Sequence, residues 1–350
     1  MTLLGTFHRW IGGLLGLVLA LLGLSGTILV HRDGWIGVPH AADARIAGSE
    51  ALAAATARLM SDPAARPDSI LYASDGFGLL RLSFPKGAGA YADQSGAIVT
   101  RWSSQWERPE LWLFDFHHHL FAGDVGEWVI GIAGCAGLFF VVSGAILWWR
   151  TRRTFAFRLW PRRLSRPAIV RHHRDLGIVM APLLLLSIYT GTVMIFRPVA
   201  VLILGPGAPA AIAQALKPPA PIGVKLSDDI DWANIVRAAH ARFPQAELRL
   251  IALPRKDSGL ITVRMRQPEE WLPNGRTMLW FAADDGRLVG DSDARAHGGQ
   301  VQGFNMLYPL HAAKVGGLGY KLLMTLSGLA LTLLGSLAVW SFWFKRGRIA

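Results

Sequence analysis

The residues best suited to chemistry in this chain are histidines. Eleven are present, and all but His40, His240 and His297 stand at the ends of long apolar runs. His8, His172 and His173 open the first and third runs, His117, His118, His119 and His311 precede the second and fourth, and His31 closes the first. An imidazole in or beside lipid is costly unless it is paired or ligates something. Two imidazoles from different helices can clamp a haem, one on each face of the iron. The symmetric candidates are His8 with His173 and His118 with His311, with His172, His119, His117 and His31 in reserve. Neighbouring residues on a helix point about 100° apart, so His117, His118 and His119 cannot all serve one iron. Iron held by two histidines has no open axial position and passes electrons instead of activating oxygen. The competing metal is zinc, with His117 to His119 near Asp115 and Asp124, but no H-E-x-x-H motif supports it. For any one histidine, interfacial anchoring is the simpler account; matched pairs at two depths favour ligation.

The elements that must position these rings are four stretches without a charged residue: Trp10–Val30, Trp128–Trp149, Leu176–Phe196 and Leu322–Phe344. Each reaches the roughly 20 residues that a helix needs to cross a hydrocarbon layer. We therefore expect an α-helical integral membrane protein with helices over 8–31, 117–150, 172–197 and 311–345. The first is expected to be a retained anchor and not a cleaved signal, because its run is long and no small-x-small site follows closely. Between the second and third stretches the chain carries nine arginines from Arg150 to Arg174, and Arg9, Lys345, Arg346 and Arg348 flank the outer ends of the span set. Basic loops stay in the cytoplasm. The reading is both termini and the 151–171 loop inside, with 32–116 and 198–310 outside. The formal net charge of +12 is thus topological, and nucleic acid is not an expected partner; membrane lipid is. The single cysteine, Cys135, rules out an intrachain disulfide and cysteine-held iron–sulfur or zinc sites.

The chain repeats itself. His8-Arg9-Trp10-Ile11-Gly12 matches His173-Arg174-Asp175-Leu176-Gly177, and Ser25-Gly26-Thr27 matches Thr190-Gly191-Thr192, both at an offset of 165 residues. More loosely, His118 stands eight residues before Gly126, as His311 does before Gly319. Each half reads helix, outer segment, helix, giving two parallel repeats. Gly12, Gly16 and Gly23, then Gly131, Gly134 and Gly137, then Gly328 and Gly335 form stripes that either admit a flat porphyrin or let helices pack closely. The outer segments each read as a small α+β unit. The first has a helix at Ser49–Met60, a strand at Leu79–Phe84 and strand–turn–strand over Ala90–Val99. The second has a helix at Asp231–Phe243, strands at Glu247–Leu253, Leu260–Met265 and Thr277–Phe281, and a turn at Asp284-Asp285-Gly286. Gly205–Pro221 reads as a linker or surface loop. Phe139, Phe140 and Tyr189 are candidate aids to electron passage, and Arg32, Arg101, Trp106 and Arg108 are candidate contacts for an anionic chelate.

Over nearly its whole length the chain resembles the PepSY-associated transmembrane helix family, which includes iron-regulated membrane proteins and ferric-siderophore reductases. The residues carrying the likeness are His8-Arg9-Trp10 with Gly12, Ser25-Gly26-Thr27, His118 with Gly126 and Gly144, His173 with Gly177, Thr190-Gly191-Thr192, and His311 with Gly319. The turns Asp93–Gly96 and Asp284 to Gly286 resemble those closing PepSY domains. The resemblance implies a bacterial inner-membrane protein with two PepSY-like periplasmic domains and b-type haem, two per chain. It implies electron transfer to ferric iron of a siderophore or another periplasmic acceptor. The donor would be membrane quinol or a separate cytoplasmic reductase, since no G-x-G-x-x-G nucleotide fingerprint follows a strand. The alternative is a haem-free scaffold or regulatory protein that binds a periplasmic protein through its PepSY-like domains.

Overall fold

The computed structural model describes residues 2–46, 48–158, 160–255 and 258–343. Its helices are α1 (Leu3–Val30), α2 (Arg32–Trp35, one turn), α3 (Ser49–Met60), α4 (Pro109–His119), α5 (Gly123–Trp149), α6 (Arg166–Ile195), α7 (Val201–Leu204, one turn), α8 (Ala208–Ala215), α9 (Trp232–Arg242), α10 (Gly299–His311) and α11 (Gly317–Trp343). Two compact units emerge, one within Met1–Arg32, Trp112–Ile203 and Leu307–Ala350, the other formed by Asp33–Leu111 and Leu204–Met306.

The first unit contains the four helices long and apolar enough to cross a membrane: α1, α5, α6 and α11, of 27 to 30 residues. At 1.5 Å per residue each is about 40 Å or more, enough to cross an apolar layer of about 30 Å. Leu14, Leu17, Ile132, Val142, Leu322 and Leu326 on these helices are exposed; such a surface is costly in water and at ease in lipid, where the helical backbone satisfies its own polar groups. The chain is a multi-pass membrane protein.

Glycines draw these helices together. A Cβ on Gly16 would lie 2.9 Å from the carbonyl of Gly335, and one on Gly23 2.6 Å from that of Gly328. On α5, Gly131, Gly134 and Gly137 leave room for Phe196, Thr192 and Ile188. These stripes therefore serve close helix packing. Gly23, Gly134 and Gly328 of the same stripes also line a cavity, so the two readings of the stripes are not exclusive.

The second and fourth spans begin later than 117 and 311. After α4 the chain turns through Leu120 and Phe121, both at positive φ (48° and 61°), before α5 starts. After α10 it turns through Ala313 (φ 49°) and Gly316. Non-glycine residues held in the left-handed region cost about 1 kcal/mol or more each and mark places where the fold imposes a shape. At the third span the difference runs the other way: α6 extends back to Arg166, shortening the arginine-rich connection.

The second unit is built on a single sheet. Strands β1 (Ser69–Leu71), β2 (Leu80–Ser83), β3 (Gly89–Ala92), β4 (Ile98–Trp102), β5 (Glu247–Ala252), β6 (Leu260–Arg266), β7 (Thr277–Ala282) and β8 (Leu288–Ser292) run in the order β4-β3-β2-β1-β5-β6-β7-β8. The two α+β segments are thus halves of one antiparallel sheet, joined where β1 pairs with β5 (Ser69 opposite Ala252, Leu71 opposite Leu250). Alternation puts Ile70, Leu82, Ile251, Val263 and Phe281 into one core with Ala53 and Met60 of α3 and Ile235 and Ala239 of α9. Asp231 caps α9 by accepting from the Asn234 N–H at 2.9 Å. Both expected turns form: Asp93 Oδ1 accepts from the backbone N–H groups of Ser95 and Ala97, while Gly96 and Gly286 take positive φ. The Gly205–Pro221 stretch is not all loop, since α8 lies within it.

Candidate functional site

The membrane unit brings four imidazoles together in two pairs. His8 lies early in α1 and His173 early in α6; their ring centres are 6.4 Å apart and the rings nearly perpendicular, at 87°. The second pair is His117 of α4 and His311 of α10, 6.2 Å apart at 43°. Two imidazoles bonded to one metal from opposite sides, each at about 2 Å, have ring centres about 6 Å apart. Both pairs meet that spacing.

The ring opposite His311 is thus that of His117, not His118. His118 instead stacks on Phe114 (4.2 Å, 23°). The glycine pair used to align the two halves explains the shift. Gly126 is required because a Cβ there would overlap the carbonyl of His119, whereas Gly319 faces open space, so the two are not equivalent. The helices themselves align at an offset of 194: α5 over Gly123–Trp149 with α11 over Gly317–Trp343, which makes His117 the counterpart of His311.

A neighbouring helix grips three of the four rings through a hydroxyl residue followed by glycine. Ser25 Oγ is 2.8 Å from His117 Nδ1, and a Cβ on Gly26 would come within 3.0 Å of His117 Cε1. Thr190 Oγ1 is 3.2 Å from His311 Nδ1, and a Cβ on Gly191 would come within 2.7 Å of its Cε1. His311 Nδ1 also lies 3.0 Å from the carbonyl of Ser187. At the other level Ser143 Oγ is 2.8 Å from His8 Nδ1, with Gly144 beside His8 Cε1 at a looser 3.6 Å. Phe140 meets the His8 ring edge-on at 5.2 Å. His173 is different: no hydroxyl grips it, the Leu334 carbonyl is the backbone group that acts on its ring, and its Nδ1 is buried without a hydrogen-bond partner among the described residues. Leaving such an atom unpaired costs about 1–3 kcal/mol.

These grips were only partly legible. Ser25-Gly26 and Thr190-Gly191 stood out as repeated dipeptides without an assigned role, and Ser143 was missed. The recurrence of a hydroxyl–glycine step on a helix opposite three of the four histidines was the available signal.

A cavity reaches the His117–His311 pair. Leu19, Leu22, Val30, Ile130, Met324 and Leu331 supply apolar walls, Gly26, Gly134, Gly191 and Gly328 the recesses, and His117, His118 and His311 the polar points. Arg32, Glu127 and Lys314 are its charged lining. Helices α4 and α10 lie outside the four spans. Burial first, then the imidazole of His311, pushes His117 down to about 3 and His118 down to about 4, and burial also lowers His311. All three rings are therefore neutral near pH 7 and able to offer a lone pair.

The reserve histidines are placed elsewhere. His119 Nδ1 pairs with Asp115 at 3.0 Å, and His31 Nε2 meets Thr325 Oγ1 at 2.8 Å. His172 is buried with both ring nitrogens unpartnered among the described residues. Among the described residues no group of three or more His, Cys, Asp or Glu side chains converges on a metal-sized site, which leaves zinc without a ligand set. Of the proposed chelate contacts, Arg32 lines the cavity. Arg108 is engaged by buried Glu110 at 2.7 Å, its guanidinium lying over Tyr91 and Trp102. Tyr189 is buried and donates to the carbonyl of Ala200 at 3.3 Å.

No curated protein sequence matches the chain. The model of one family, described as the PepSY-associated TM region, matches residues 6–346. That match takes in all four apolar helices, both imidazole pairs and the sheet between them, and the chain belongs to the PepSY-associated TM region family.

Proposed function

We propose that the protein is a dihaem b-type electron carrier of the bacterial inner membrane that reduces ferric iron on the periplasmic side. The observation that carries this reading is one arrangement occurring at two levels: two imidazoles from different helices, with ring centres 6.4 and 6.2 Å apart. On α1 the levels are marked by His8 and by Ser25, which grips His117; that interval corresponds to about 25 Å along a helix. His8 and His173 would hold one haem, and His117 and His311 the other. Bound haem supplies one-electron ferric–ferrous chemistry. The chain's part would be to keep the imidazoles neutral, to hold the group through His8 with His173 and through His117 with His311, and to wall the site with apolar side chains.

The arginine-rich connection between α5 and α6 supports an orientation with the His8–His173 level and both termini on the cytoplasmic side. The sheet unit then lies in the periplasm. One electron leaves a membrane quinol or a separate cytoplasmic reductase, which is oxidised by one electron. One periplasmic Fe(III) chelate, of the ferric-siderophore kind, is reduced to Fe(II), which a hard-oxygen chelator holds less tightly.

The test is absorption of the detergent-purified protein before and after reduction, with extraction to count haem per chain. Two b-type haems, reoxidised by a ferric chelate, are expected. Protein without haem, expressed with ample iron and haem precursor, would sink the reading. A haem-free role for the sheet unit in binding a periplasmic protein would then lead.

A further inference from the structure

The hydroxyls that grip three of the imidazoles each have a backbone carbonyl of their own helix within reach. Ser25 Oγ donates to the carbonyl of Leu21 at 2.9 Å, Thr190 Oγ1 to that of Leu186 at 2.7 Å, and Ser143 Oγ to that of Phe139 at 2.6 Å. Each is the residue four positions earlier on the same helix. A hydroxyl has one proton and two lone pairs; with that proton on the carbonyl it accepts from the histidine. In that arrangement the Nδ1 atoms of His117 and His8 carry the proton, as does that of His311, which also faces the Ser187 carbonyl, an acceptor only; the free lone pair then falls on Nε2. The following glycine lets the ring seat against the helix at Cε1. The support is unequal: His117 and His8 have one hydroxyl each, His311 has Thr190 and the Ser187 carbonyl, and His173 has no partner on Nδ1 among the described residues, the Leu334 carbonyl being the backbone group that acts on its ring.

We propose that Ser25, Ser143 and Thr190 are positioning residues that fix the Nδ1–H tautomer of the iron-binding histidines and tune the two haems separately. This rests on the dihaem reading above. An acceptor on Nδ1–H pushes electron density into the ring, making Nε2 a stronger donor and favouring ferric over ferrous iron. Loss of an acceptor weakens that donation and raises the midpoint potential of the haem concerned.

Redox titration of the purified holoprotein, followed in the visible bands, tests this. The component surviving in His117→Ala identifies the His8–His173 haem. Ser25→Ala should raise only the other component, and Ser143→Ala only this one. Thr190→Ala should raise the same component as Ser25→Ala, by less, because Ser187 O still accepts from His311. Thr190→Ser restores the hydroxyl and should leave the potential in place, a result that loss of packing alone would not give. If Ser25→Ala loses its haem outright, Thr190→Ala and Thr190→Ser still decide the matter. Two haems with unmoved potentials in Ser143→Ala and Thr190→Ala, or either variant moving both components, would overturn the proposal and leave the dihaem reading intact. Wild-type protein without haem would remove both.

Discussion

At the His117–His311 level both rings come from helices that stop at or just past the histidine, α4 and α10, each followed by a left-handed turn before the next span. At the His8–His173 level both rings sit within spans, α1 and α6. The first arrangement allows each ring to be aimed by a turn and gripped by a neighbour; the second leaves aiming to the spans' own packing. Helices α1 and α6 contribute at both levels, a histidine at one and a hydroxyl–glycine grip at the other. Among the grips, repetition breaks at His173. Ser143 and Gly144 of α5 grip His8, but the positions 194 residues on are Leu337 and Ala338, which offer His173 neither hydroxyl nor glycine. A duplicated scaffold can thus carry two sites of equal spacing and unequal support.

The largest effect that would break this comparison is loss of a whole cofactor. His117→Ala and His311→Ala should each lower the haem count from two to one, while His118→Ala leaves it at two. Retention of both haems in His117→Ala with loss in His118→Ala would return the pairing to the one suggested by the glycine spacing. Next come the seats. Gly191→Ala and Gly26→Ala place a methyl 2.7 and 3.0 Å from an imidazole carbon, whereas Gly144→Ala leaves 3.6 Å. Crowding of this kind costs about 1–3 kcal/mol, so occupancy of the His117–His311 haem should fall most in Gly191→Ala, less in Gly26→Ala, and the other haem should barely change in Gly144→Ala. Equal losses in all three would show that the glycines act through general helix packing.

The smallest effect is expected in the sheet unit, which serves as a control. Burial raises the carboxyl of Glu270 above its ordinary range, against the backbone N–H of Gln267, and its Oε1 is buried without a partner among the described residues. Its folded state therefore holds a proton that the unfolded chain has already released, so its contribution to stability falls as pH rises from the ordinary carboxylate range through the raised value. Glu270→Gln should flatten that decline in thermal unfolding curves, with haem content unchanged. A changed haem spectrum in this variant would mean that the two units are not separable in function.

What the sequence disclosed follows from how local each signal was. The helix at Ser49–Met60 is found over the same residues, because an alanine-rich amphipathic run needs no distant partner to be recognised. His8 and His173 were legible because two motifs share their offset. His117 was not, since the choice among three consecutive histidines depends on a turn through Leu120 and Phe121, for which neither residue is a natural candidate. Strands β1 and β8 were missed as well. Ser69–Leu71 is only three residues long, and Leu288–Ser292 contains Gly290 and Asp291, residues disfavoured in strands. Their identity as strands comes from pairing, and pairing of β1 with β5 is what turns two expected domains into one sheet.

That junction bears on how the protein is made. During synthesis the first half emerges with β2, β3 and β4 able to pair at once, but the other edge of β1 stays open until residues 247–252 arrive, after two further membrane spans. An unpaired strand edge invites association with whatever strand is nearest. The nascent sheet passes through an interval of exposure, and a chain cut after α5 would end there, its first segment left with the open edge of β1 that residues 247–252 cover in the full chain.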